Sequence, residues 1–116
     1  MKIGIVGSRR RIQKDYIIRY VDKLPEDTII ISGGCRGVDT WIETRAKERG
    51  MQTIIFKPDL TNITDKGDMV KRYHDRNKKI AQECDMLIAF VSLDRKGGTE
   101  NTIKYAKQLN KIVIIE

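Results

Sequence analysis

The feature that most constrains this chain is the passage from Thr28-Ile29-Ile30-Ile31 into Ser32-Gly33-Gly34-Cys35-Arg36-Gly37-Val38-Asp39. A β-branched run meets three glycines within five residues, and the spacing of Val38, Trp41, Ile42 and Ala46 then predicts a helix. Strand, glycine turn and helix in that order read as a phosphate-accepting turn. Glycines let the backbone adopt positive φ and approach a ligand closely. The first N–H groups of the helix have no partner inside it, and the positive end of its dipole lies behind them. Arg36 adds a full charge.

The same alternation runs through the rest of the chain. Ile3 to Val6 predicts a first strand, and Ile12, Tyr16, Ile17, Tyr20, Val21 and Leu24 a helix closed by Pro25. Thr28 to Ser32 is the second strand, and the second helix ends at Gly50. Gln52 to Phe56 is the third strand. Lys57 to Lys66 has no period and reads either as a flap over a site or as a surface connection. Met69, Tyr73, Ile80 and Cys84 mark a third helix, Met86 to Val91 a fourth strand, and Leu93 to Thr99 a second glycine-bearing loop. Ile103, Ala106, Lys107 and Leu109 continue a fourth helix, and Ile112 to Ile115 is the last strand.

Strands that are continuous apolar runs belong to parallel sheets buried on both faces. The expected class is α/β: one Rossmann-like, doubly wound domain over residues 1–116. It has a parallel five-stranded sheet in the order 3-2-1-4-5 and helices on both faces. In such sheets ligands bind beyond the carboxyl ends of the strands, where the strand order reverses. Three loops lie after strands there: Gly7-Ser8-Arg9, Ser32 to Gly37, and Arg95-Lys96-Gly97-Gly98-Thr99. The first and last face each other across the switch point, with the middle one beside them.

A formal net charge of +7 suits a polyanionic partner, whether nucleotide or single-stranded nucleic acid, or solubility alone. The two cysteines, Cys35 and Cys84, form no metal-ligand pattern, so no metal is expected, and the default is a reduced, cytoplasmic protein. The chain enters a strand directly from Met1, so no signal peptide is expected, and its longest apolar run is too short for a membrane span. Trp41 and Tyr105 are candidates for a homo-oligomer face or for packing onto the helix cores.

Neither GxGxxG nor a P-loop is present, so no dinucleotide cofactor and no Mg-ATP hydrolysis is indicated. Ser8 can donate through its hydroxyl and Arg9 can hold a phosphate bidentately. Arginines 9 to 11 read either as a solvated helix start or as ligand contacts. Because cations oppose the dipole at a helix start, the second reading gains some weight. Asn77 falls on the apolar stripe of Tyr73, Ile80 and Cys84 and must find polar partners. Arg76, about 100° away, reaches the same crevice. His74 reads as a surface residue. Thr99 is a good N-cap and Glu100 suits a first turn; alternatively Thr99 binds a phosphate and Glu100 a ribose hydroxyl. Asp39 either braces the glycine turn or Arg36, or meets a ligand, with bracing favoured.

Gly7-Ser8-Arg9, Gly33-Gly34-Cys35-Arg36-Gly37-Val38-Asp39, Arg76-Asn77 and Gly97-Gly98-Thr99 together resemble the SLOG superfamily of Rossmann-like nucleotide-binding domains, in particular its small YspA-like (DUF2493) members. That resemblance implies binding of nucleotides or nucleotide derivatives. The DNA-processing DprA branch has similar Gly-Ser-Arg, Ser-Gly-x-x-Arg-Gly-x-Asp and Arg-Asn pieces, which implies single-stranded DNA. The LOG phosphoribohydrolases, lysine decarboxylase-like by label, have a Met-His-x-Arg-Lys helix followed by Pro-Gly-Gly-x-Gly-Thr-x-x-Glu. Arg76 matches that pattern, but Thr102 stands where its Glu would be. Glu100 lies two residues out of register, about 200° round the helix.

The leading expectation is therefore a binding module for a nucleotide or ribosyl phosphate, with no further cofactor. Gly7, Ser8, Gly33, Gly34, Gly98 and Thr99 would take the phosphates, with Arg9 and Arg36 neutralising charge. Arg76 and Asn77 form the far wall, Glu100 takes a ribose hydroxyl, and Asp39 and Gly97 complete the set. The alternatives are a nucleoside monophosphate phosphoribohydrolase, with Arg76 and Glu100 catalytic, and single-stranded nucleic-acid binding.

Overall fold

The computed structural model describes all 116 residues, Met1–Glu116. Strands β1 (Lys2–Gly7), β2 (Ile29–Ser32), β3 (Thr53–Ile55), β4 (Met86–Phe90) and β5 (Ile112–Ile115) alternate with helices α1 (Lys14–Asp22), α2 (Val38–Glu48), α3 (Lys66–Glu83) and α4 (Gly98–Gln108). The strands form one parallel sheet in the order β3-β2-β1-β4-β5, as expected. β1 is central, with Ile3 opposite Ile30 of β2 on one side and Met86 of β4 on the other.

The continuous apolar strands follow from two cores. Ile3 and Ile5 of β1, Ile30 of β2, and Ile88 and Phe90 of β4 pack under α1 and α2 with Ile17, Val21, Val38, Ile42 and Ala46. Their neighbours Val6, Ile31, Leu87 and Ala89 face the other way, against Ile80, Ala81, Ile103 and Ala106 of α3 and α4. Side chains that alternate across a strand with both faces covered leave no polar position. Gly4 points toward the α3 side, where a Cβ would lie 3.2 Å from Cys84 Cβ. Trp41 and Tyr105 pack against the first and second core respectively, which favours the core-packing reading of both.

Two expectations are corrected. Ile12 stands before α1 and is exposed; α1 opens at Lys14, after Gln13, whose side chain makes no cap. Arginines 9 to 11 thus lie in a turn ahead of the helix, so the dipole argument about them does not apply. The cap of α4 is Gly97, at φ 106°, not Thr99, which is the second helical residue. The positive φ needed to enter this helix is easily reached by glycine and rarely by threonine. No helix is long and apolar enough to cross a membrane.

Candidate functional site

A cavity of about 390 Å³ opens at the carboxyl ends of β1 and β4, where the strand order reverses. The loop after β1 contributes Ser8, Arg9 and Arg10, the glycine turn after β2 contributes Gly33, Cys35 and Asp39, and Lys96, Gly97, Gly98 and Thr99 come from the start of α4. α3 supplies the back wall with Val70, Tyr73, His74, Arg76, Asn77 and Ile80. Ten of the expected residues meet there: Gly7, Ser8, Arg9, Gly33, Asp39, Arg76, Asn77, Gly97, Gly98 and Thr99. Gly34 and Arg36 line a neighbouring hollow of about 440 Å³, together with Arg9, Gly33, Cys35, Pro58, Leu60 and Tyr73. Glu100 lines neither.

The glycine turn is closed on itself. Asp39 is buried and accepts the Cys35 N–H at 3.0 Å, with Gly33 beside it. Its carboxylate braces the turn from inside, while α2 opens after Gly37 with no side-chain cap. Desolvation by burial pushes its pKa up to about 6, against the pull of the Cys35 N–H and of Arg76. The Ser32 hydroxyl is also spent, 2.8 Å from Glu43. Gly7 has a packing reason of its own: a Cβ there would fall 2.5 Å from Cγ1 of Val38, so glycine lets α2 lie against β1.

Arg76 locks the turn from behind. It is buried; its Nη1 donates to the Gly33 carbonyl and, at 3.5 Å, to that of Phe56, and its Nη2 approaches Cys35 Sγ at 3.4 Å. Its Nε donates to Asn77 Oδ1 at 2.8 Å. The amide of Asn77 then donates to Asn101 Oδ1 at 3.0 Å and to the Gly98 carbonyl at 3.4 Å, tying α3 to α4. Arg76 and Asn77 thus spend most of their hydrogen-bonding capacity on protein partners. A Cβ at Gly33 would lie 2.6 Å from Arg76 Nη1, so the turn can pass only without a side chain.

The opposite wall is open. α4 starts at Gly98 after Gly97 with no side-chain cap, so its first N–H groups lack a partner within the helix and face the cavity mouth. Thr102, buried, turns its hydroxyl back to the Gly98 carbonyl at 3.2 Å. Across the crevice, Ser8 Oγ accepts the Arg10 N–H at 3.2 Å and keeps its own proton to donate. The three arginines divide. Arg10 pairs with Asp94, whose pKa is lowered by the Ser92 hydroxyl and by Arg10, while Arg11 donates to the Val91 and Glu116 carbonyls. Arg9 is exposed and forms no ion pair, leaving it free for a ligand at the rim. Glu100 is gripped by Arg95 through two 2.8 Å hydrogen bonds.

The cavity wall holds further side chains beyond those ten. His74 is half-buried in its wall, against the expectation of a surface position. The signal was there: His74 and Asn77 are three residues apart and share a helix face. Lys96 adds a cation beside Gly97, and Val6, Val70, Tyr73 and Ile80 give an apolar wall. The arrangement offers N–H, hydroxyl and guanidinium donors for an anion at one end, an apolar wall, and a carboxylate at the other end. No cluster of three or more His, Cys, Asp or Glu side chains could hold a metal ion.

A scan against protein-family models finds no match, and a search of curated proteins finds none either. Among solved structures, the chain is similar to DNA processing protein A (DprA) from Streptococcus pneumoniae. The TM-score is 0.79 at 20% identity over 98% of this chain. The chain spans 49% of that protein's length. The likeness is one of fold: the Rossmann-like, DprA-like arrangement runs over nearly all of the chain.

Proposed function

We propose that this chain is a cytoplasmic nucleotide-binding protein of the YspA-like kind. In this reading a phosphate of a nucleotide or ribosyl phosphate sits between Ser8, Arg9 and the start of α4. The observation that carries the reading is the meeting of Ser8 and Arg9 with the uncapped Gly97-Gly98-Thr99 start in one cavity at the β1/β4 crevice. N–H groups at a helix start, a hydroxyl and a free guanidinium form a phosphate site, and the apolar wall suits a base or sugar face. The glycine turn, first read as the phosphate holder, becomes its rigid neighbour. In a thermal-shift panel of nucleotides, at least one raises the melting temperature: a ligand at a hundred times its Kd adds about 2.7 kcal/mol. Arg9→Ala abolishes that rise. A flat panel, with Arg9→Ala indistinguishable from wild type, would sink the reading.

A second reading, single-stranded nucleic acid, has one observation in its favour. The exposed Lys71, Lys78 and Lys79 of α3 and Lys104 and Lys107 of α4 share one layer, and none forms an ion pair. Binding to an oligonucleotide whose log affinity falls with log salt at about −0.7 per neutralised phosphate supports it. Absence of such binding removes it.

A further inference from the structure

Asp39 is the one carboxylate that lines the cavity. It is 6% exposed, and its Oδ2 is held by the Cys35 N–H with Gly33 alongside. The charged groups that act on it are Arg76 from α3, which favours its ionised form, and Glu43 from α2, which opposes it. His74 lines the same cavity from α3, and Arg9, Arg10 and Lys96 stand on its rim. The start of α4, with its unpartnered N–H groups, comes from the far side after β4, Ser8 stands between after β1, and Arg9 lines both this cavity and the hollow beside Gly33 and Cys35. The cavity therefore has a polarity, with the α4 N–H groups at one end and a fixed acceptor at the other.

Resting on the nucleotide reading, we propose that Asp39 is a specificity residue that sets the direction of the ligand. The phosphate goes to the α4 end, and a neutral, hydroxyl-bearing face of the ligand goes to Asp39. A ribose 2′- or 3′-hydroxyl donates to the carboxylate in a charge-assisted hydrogen bond. A second phosphate in that place meets a buried carboxylate of the same sign and is rejected. The ligand class is a ribonucleoside 5′-monophosphate with both ribose hydroxyls free.

The test is isothermal titration with three probe sets. They are the 5′-monophosphates of the four common ribonucleosides, the matching 3′,5′-bisphosphates, and the matching 2′,3′-dideoxy 5′-monophosphates. At pH 8 the wild type binds its preferred monophosphate at least about tenfold more tightly than either modified form. Asp39→Asn narrows the bisphosphate gap by raising bisphosphate affinity. At pH 5 the gap also narrows in the wild type, and by more than in Asp39→Asn; the variant accounts for proton uptake by the phosphates themselves. If the variant fails to fold, the dideoxy comparison and the wild-type pH series still decide. Bisphosphate or dideoxy forms that bind the wild type as well as the monophosphate overturn the assignment of Asp39 and leave the phosphate site standing. Absence of binding by every probe, with Arg9→Ala unchanged, removes the phosphate site and this assignment together.

Discussion

The two glycine loops of this molecule look alike in composition and differ in what their backbones do. In the turn from Gly33 to Gly37, the side chain of Asp39 folds back four residues onto the Cys35 N–H, and Arg76 takes the Gly33 carbonyl. In the loop through Gly97 and Gly98, the exposed Asp94 takes the Lys96 N–H and no guanidinium holds the glycine carbonyls, while neither of the two following helices has a side-chain cap. One loop is buried behind a carboxylate and a guanidinium, and the other stands exposed at the cavity rim. A glycine-rich turn before a helix is thus open to an outside anion where no buried carboxylate already braces it.

The largest effect is expected from removing the clamp on the closed loop. Arg76→Met keeps the length of the side chain and deletes its donors, leaving the carbonyls of Gly33 and Phe56 without them. Each buried group left unpaired costs about 1–3 kcal/mol, so the variant loses about 3 kcal/mol in urea unfolding. A loss below about 1 kcal/mol would mean that the turn holds its shape without Arg76.

The next largest effect is a pH dependence confined to the closed loop. The folded state holds the Asp39 proton up to a pKa of about 6, whereas an aspartate in water has a pKa of 3.8. Between those values the native protein binds more protons than the unfolded chain, so stability falls as pH rises through this window. Acidification from pH 7 to 4 therefore adds stability from this site, on the order of 2 kcal/mol. Asp59 and Asp94, whose pKa values are lowered, act in the opposite sense below that window. Asp39→Asn keeps an acceptor for Cys35, flattens the dependence and raises stability at pH 7 to 8. Chemical denaturation at pH 4, 5.5 and 7 measures it; a wild-type curve that rises with pH over this range would contradict the burial of an ionised Asp39.

The fold and the loops that meet at the crevice were legible in the sequence, because the alternation of strands and helices follows from periodicity. Ile3 and Ile5 face one core and Val6 the other, so an unbroken apolar run implies a two-sided sheet. The strand order comes from the doubly wound class rather than from periodicity, and the cavity lies at the reversal that this order creates. What a sequence does not display is which donors are already spent. Arg76 reaches a carbonyl 43 residues away, and Glu100 is captured by Arg95 from a residue with φ 53°. Those partners exist only once the sheet has brought the loops together. The residue types at the site were therefore readable, but the division between closed and open loops was not.

Gly98→Ala probes the exposed loop. A Cβ there meets nothing nearer than Asn77 Nδ2 at 3.7 Å, an ordinary contact. The variant keeps its stability within about 0.5 kcal/mol, as a surface change at a helix start does. The added methyl group stands where a phosphate must approach the N–H groups, so nucleotide affinity falls about tenfold, one charge-assisted hydrogen bond. Gly33→Ala does the reverse: it runs into Arg76 and costs stability first. If Gly98→Ala binds nucleotides like the wild type, the phosphate does not sit on α4.

The smallest effect is expected at Glu100, and it separates binding from hydrolysis. A phosphoribohydrolase needs a carboxylate at the bond between base and ribose, and Glu100 is paired with Arg95 outside the cavity. Thr102, in register with the glutamate of the hydrolase pattern, has its hydroxyl on the Gly98 carbonyl. Glu100→Gln breaks an exposed ion pair, and such pairs contribute little. Nucleotide affinity then changes by a few-fold at most, and chromatography finds no free base released from 5′-monophosphates by either form. Release of base by the wild type that disappears in Glu100→Gln would show that the Arg95 pair opens in solution. Glu100 would then swing toward the ligand, and the open loop would carry chemistry as well as a phosphate.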